Sequence, residues 1–163
     1  MAANVHLHSR MIPVTALDPV ADAWAATVST DVINASNAKA VHFIVHKGVG
    51  ATGTSTITIE ACDDVTPTTA TAIGGWTYSK VTATGTTDVA TAAPARATST
   101  GFLTTAGSGQ IYSISVDADL LASLGYKFVR LKAVESVDSP VLLGVLALVE
   151  TNTPCAIPAT VIA

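Results

Sequence analysis

The residues suited to chemistry are few: four histidines, two cysteines, two acidic pairs, two tryptophans and one glycine-rich stretch. In a strand, His6 and His8 share one face, as do His42 and His46, because side chains alternate. If the two pairs met in space, their imidazoles could ligate a metal. Structural metal sites usually mix ligand types at tighter spacing, so polar residues on the wetter faces of two strands is the simpler reading. Asp63-Asp64 and Asp117-x-Asp119 offer carboxylates for calcium or for acid–base work. The first pair stands at a strand end before Pro67 and the second at a helix start, so turn chemistry and capping account for both. Gly48-Val49-Gly50-Ala51-Thr52-Gly53 fits G-x-G-x-x-G. It joins two apparently antiparallel strands and opens no helix, which breaks the dinucleotide reading and leaves a flexible hairpin loop.

Trp76 with Tyr78 has the makings of a sugar platform. Core packing or interface burial is the expected fate of Trp24 and Trp76, because large aromatics are scarce in this chain. Cys62 and Cys155 have neither metal-type nor redox-type spacing. Reduced thiols are expected after cytoplasmic synthesis, and a bridge formed after release from the cell is the alternative. No phosphate loop, nucleophile elbow or His-Glu-x-x-His occurs. The expected catalytic, cofactor-binding and metal-binding residues are therefore none, and no cofactor is expected. Asn34-Ala35-Ser36 fits the glycosylation pattern but carries no meaning without a secretory signal.

The elements that would position these residues read as strands. Val41–His46, Ser55–Ala61, Trp76–Val81, Gln110–Val116 and Lys127–Ala133 alternate apolar and polar residues with a period of two. Met11–Leu17 and Ala25–Val32 are weaker candidates. Val141–Val149 is apolar on both faces, which suits a central strand or one at a subunit contact. Gly74-Gly75, Gly107-Ser108-Gly109 and Asp138-Ser139-Pro140 punctuate the runs. One short helix is expected from Ala118 to Leu124, with Asp117 as N-cap and Gly125 closing it in the left-handed conformation. The fold class is therefore all-β: a β-sandwich or jelly-roll-like arrangement of antiparallel sheets with one short helix and extended terminal arms. The domain plan is an N-terminal arm over 1–11, a single β-sandwich domain over 12–150 and an extended C-terminal tail over 151–163. Thr82–Thr100, rich in Thr and Ala, also reads as extended rather than packed. These arms and this segment are the expected interface elements.

Composition narrows the function further. The chain has 163 residues, a net charge of −4 and no basic run. Direct nucleic-acid binding, which needs clustered Lys and Arg, is not expected. Charged residues are 12% of the chain, about half the ~25% of an ordinary soluble domain. A bland surface of this kind suits a protein covered by neighbours. The longest apolar run, Val141–Val149, falls far short of the ~20 residues of a membrane helix. The N-terminus shows no positive region followed by an apolar run, so a soluble protein made in a cytoplasm is expected.

From Ile12 to Glu150 the layout resembles the head decoration, or capsid cement, proteins of tailed bacteriophages. The resemblance rests on Ile12-Pro13-Val14, Val41-His42-Phe43-Ile44-Val45 before a Gly-rich turn, and Thr56-Ile57-Thr58-Ile59-Glu60-Ala61-Cys62-Asp63-Asp64 followed by Trp76. Its strongest part is Tyr112-Ser113-Ile114-Ser115-Val116-Asp117-Ala118-Asp119-Leu120, leading through Gly125-Tyr126 to Val129-Arg130-Leu131. It implies a non-enzymatic virion protein on the capsid exterior, synthesised in the host cytoplasm. Such a protein binds the major capsid protein, associates with itself as a dimer or trimer, and needs no membrane. A glycan- or receptor-binding sandwich on a virion surface, or a tail or neck component, are the alternatives.

Overall fold

The period-two alternation resolves into two antiparallel sheets packed face to face. The computed structural model describes residues 10–50, 52–81 and 91–152, the side chains of 91–93 excepted. In chain order the elements are β1 (Met11–Val20), β2 (Thr27–Ser29), β3 (Ile33–Asn34), β4 (Ala38–Lys47), β5 (Thr54–Cys62), β6 (Ala70–Ile73), β7 (Thr77–Val81) and β8 (Thr91–Arg96). They continue with β9 (Phe102–Leu103), β10 (Gln110–Asp117), α1 (Ala118–Ser123), β11 (Phe128–Val137) and β12 (Leu143–Thr151). One sheet runs β1-β12-β4-β10-β7-β8. The other runs β2-β11-β5-β6, with β3 also on β11 and β9 also on β5. The chain is therefore an all-β sandwich-like fold with one short helix among the described residues.

The core forms where the inner faces meet. Val41, Phe43 and Val45 of β4, Tyr112, Ile114 and Val116 of β10, and Val145, Ala147 and Val149 of β12 point inward from the larger sheet. Ile57, Ile59 and Ala61 of β5 and Val129, Leu131 and Ala133 of β11 meet them from the smaller one. Each large aliphatic side chain fully buried in this way stabilises the fold by about 1.5–3 kcal/mol. An aromatic group closes one region of the core. Trp76 lies 5.9 Å from Tyr78 and 6.1 Å from Phe102, and Tyr78 stacks on Phe102 at 4.0 Å.

The expected strands all form, and four elements appear that alternation did not mark: β3, β6, β8 and β9. They are two to six residues long, too short for a period to show. Three expectations need correction. Thr82–Thr100 is not wholly an unpacked stretch, because Thr91–Arg96 pairs antiparallel with β7 as the outermost strand of the larger sheet; residues 82–90 lie outside the described residues. The Gly48–Gly53 stretch is not a hairpin loop. It carries the chain from β4 in one sheet to β5 in the other. It is held by Gly48 N–H to Leu142 O, Leu142 N–H to Val49 O and Gly109 N–H to Gly48 O. Asp117 does occupy the N-cap position of α1, but its side chain makes no capping hydrogen bond. Gly125 closes the helix with φ at +82°, as expected. The ordered strands begin at Met11 and end at Thr151, one residue outside the expected 12–150 at each end. Of the expected arms over 1–11 and 151–163, only residues 10–11 and 151–152 are described, with Met11 in β1 and Thr151 in β12; the remainder lies outside the described residues.

Candidate functional site

The residues singled out in the sequence go to different places. Trp76 is 1% exposed, and its indole N–H donates to Ile73 O at 2.8 Å. Trp24 is also buried. The expectation of core packing therefore holds for both, and Trp76 cannot offer a ring to a sugar. Asp63 organises the β5–β6 turn, accepting from Thr68 Oγ1 and Thr69 N–H. The Thr68 hydroxyl is the main reason its carboxyl is held below the usual range. Asp64 accepts from its neighbour Val65 N–H. Asn34 likewise turns its carbonyl oxygen to Ser36 N–H. Cys62 is buried, directly opposite Phe128 in the β5–β11 register. Burial pushes its thiol up to about 11. Cys155, His6 and His8 lie outside the described residues.

His42 and His46 do share a face, the outer face of the larger sheet. His46 is exposed there, and His42 is half-buried in a polar patch. His42 Nδ1 lies 2.8 Å from Ser115 Oγ, and its Nε2 lies 3.7 Å from Glu150 Oε2. Lys39 Nζ donates to Glu150 Oε1 at 3.2 Å. That hydrogen bond is the main reason the Glu150 carboxyl sits below its ordinary value. Serine, imidazole and carboxylate in this order suggest a nucleophilic triad, but the geometry falls short of one. The 3.7 Å gap leaves Nε2 without a hydrogen bond and does not orient the ring. Ser115 also sits in mid-sheet, paired with His42 on one side and Thr77 on the other. Its strand is engaged in ladders on both edges, so the backbone N–H groups of β10 around Ser115 are taken up by β4 and β7. Among the described residues, no group of three or more His, Cys, Asp and Glu is placed to hold a metal.

Among the described residues two other charged side chains are buried, Glu60 and Lys47, and each is tied to neighbouring strands or loops. Glu60 is 6% exposed in its side chain and bridges two cations on the outer face of the smaller sheet. Arg130 Nη2 reaches Glu60 Oε2 at 2.7 Å, and Lys132 Nζ reaches Oε1 at 3.0 Å. Burial pushes the Glu60 carboxyl upward, but the hydrogen bonds from Lys132 and Arg130 outweigh it and leave the net shift downward. Lys47 follows Val41, Phe43 and Val45 on the inward face of β4 and is fully buried. Its ammonium donates to Gly53 O at 2.8 Å and to Thr105 O at 3.1 Å, tying two loops together. Burial lowers its affinity for the proton. Sequence reasoning passed over Lys47; the available signal was its parity with three core residues.

The described residues also form an apolar surface feature. Beside the polar patch, the outer face of the larger sheet becomes apolar. Ile44 of β4, Ile111 of β10, and Leu142 and Leu146 at β12 gather there, with Leu17 and Pro19 of β1 as the far wall. They enclose a shallow groove of about 570 Å³. Leu142 is 42% and Leu146 40% exposed. Pro19 packs closely over Gly144 at one edge of the groove, where a Cβ would run into its ring. β12 is thus a central strand, as its two-faced apolarity suggested, yet Leu142 and Leu146 on its outward side stay exposed. No family model, curated protein or solved structure matches the chain.

Proposed function

We propose that this chain is a non-enzymatic virion structural protein: a decoration or cement protein that binds the outer surface of a phage head and stabilises it by bridging major capsid subunits. One observation carries the reading: the exposed apolar groove beside Leu142 and Leu146, on a scaffold whose buried charges are engaged in holding strands and loops. Apolar surface gathered from several strands at one place supports a contact with another protein. The resemblance in strand order and turn motifs supplies the kind of partner. A double sheet with antiparallel pairing throughout deforms little under load, which suits a part that resists the outward pull on a filled shell. Each contact can be weak, because many copies and several contacts per copy add up. The buried Trp76 counts against the glycan-binding alternative, which had Trp76 and Tyr78 as its platform.

The test is co-sedimentation of the purified protein with intact or emptied phage heads. Saturable binding at a stoichiometry of tens to hundreds per head, on the order of a repeated lattice site, is the expected result. Absence of head binding, with binding instead to host cells or sugar polymers, would overturn it.

A further inference from the structure

The apolar groove needs an occupant, and the chain itself contains a matching segment. Residues 153–163 read Thr-Pro-Cys-Ala-Ile-Pro-Ala-Thr-Val-Ile-Ala, with no charged side chain. The groove is lined by no Asp, Glu, Lys or Arg, with His46 at its rim. In an extended segment Ile157, Ala159 and Val161 fall on one face. Ile157 and Val161 are four residues apart, about 13 Å at the rise of a strand. Leu142 and Leu146, the exposed ridges of the groove, are also four residues apart.

The direction of β12 decides whose groove the segment meets. β12 runs from the groove at Leu143 toward Thr151, so the chain leaves the sandwich heading away from its own groove. Its exit is pinned. Asn152 N–H donates to Asn37 O, and Asn152 Nδ2 to Ala38 O. Pro154 stands two residues further on. To reach its own groove the segment would have to reverse at once and cross the charged patch of Lys39, His42 and Glu150. Running onward, residues 153–163 span up to about 36 Å, enough to lie along a neighbouring molecule.

We infer that residues 155–163 of one copy dock into the apolar groove of a second copy, with Ile157 and Val161 seated against Leu142 and Leu146. The arm links copies head to tail, closing into a ring or reciprocating in a pair according to the angle between them. This contact forms between free copies, so it does not depend on the capsid reading.

The test uses the full chain carrying Cys155→Ser, with the buried Cys62 left in place. One preparation carries Val161→Cys and a second carries Leu146→Cys. The two are mixed under the thiol oxidant diamide and followed on a non-reducing gel, with no heads present. An interchain disulfide is expected to form at least about tenfold faster than with a control cysteine at Thr58 on the opposite sheet, reflecting the local concentration of a docked arm. A rate equal to the control would overturn the inference. So would a single chain carrying both cysteines that closes on itself without forming dimers. In a parallel measurement, Ile157→Asp with Val161→Asp should reduce the sedimentation-derived mass to that of one chain, and an unchanged mass would also overturn the inference. Head co-sedimentation is a separate readout, so failure of the arm contact and failure of the capsid reading appear in different experiments.

Discussion

Removing both cations from Glu60 should destabilise the protein strongly at neutral pH and weakly in acid. Glu60 Oε2 accepts from Arg130 Nε at 2.8 Å as well as from Nη2, and Oε1 accepts from Lys132 Nζ. Arg130 lies directly opposite Glu60 in the β5–β11 register, so the pair closes without strain on either strand. In the doubly substituted Arg130→Met, Lys132→Met protein, the carboxylate stays buried with neither partner. Stranding a buried charge costs about 3–5 kcal/mol, a large part of the ~5–15 kcal/mol that holds a domain together. The two cations are partly exposed and either one alone still pairs with the carboxylate, which places a single substitution lower, at about 1 kcal/mol or less. The pH dependence fixes the sign. In the native protein the folded-state value of Glu60 lies below its ordinary 4.5, so its contribution is present above 4.5 and lost as pH falls through the folded value. In the double variant burial acts alone and raises the value, so the penalty is relieved as pH falls. Urea unfolding at pH 7 and again near pH 3.5 should therefore show a wide gap between the two proteins that narrows in acid. A gap of the same size at both pH values, or one below about 1 kcal/mol at pH 7, would refute the reasoning.

Other outcomes follow from the same geometry. Trp76→Ala should cost about 3–5 kcal/mol, read by urea unfolding and near-ultraviolet dichroism; a fully stable variant would return Trp76 to the surface and revive the sugar platform. Leu146→Asp, on the exposed groove, should change stability by no more than about 0.5 kcal/mol while altering association measured by sedimentation. Cys62 should resist iodoacetamide in the native protein at pH 8 and react at least about a hundredfold faster in urea, because its thiol is buried and little ionised; peptide mapping separates it from Cys155. Gly101 adopts φ +71°, and a Cβ there would strike the Ile57 carbonyl. Gly101→Ala should cost more than the ~1–2 kcal/mol of left-handed backbone alone, measured by the same unfolding curves.

The alternation in Val41–His46, Gln110–Val116 and Lys127–Ala133 was enough to identify the strands and their buried faces, because a period of two is a local property of the chain. The helix after Asp117 and its closure at Gly125 were legible for the same reason: the necessary residues are neighbours. Sheet order was not. β12 lies between β1 and β4, more than ninety positions from each in sequence, and no local pattern encodes that pairing. The Gly48–Gly53 stretch reads as a hairpin until the two flanking strands are seen in different sheets. The contact of Ser115 with His42 and the bridging of Glu60 by Arg130 and Lys132 likewise depend on register. Register is set when long-range strands pair across the core. The groove shows the division most clearly. Ile44, Ile111 and Leu146 each sit on the outward face of a separate strand, and each alone is an ordinary exposed aliphatic residue. The sequence determined what each strand carries on each side; tertiary pairing of β1, β12, β4 and β10 decided that these side chains would meet as one surface.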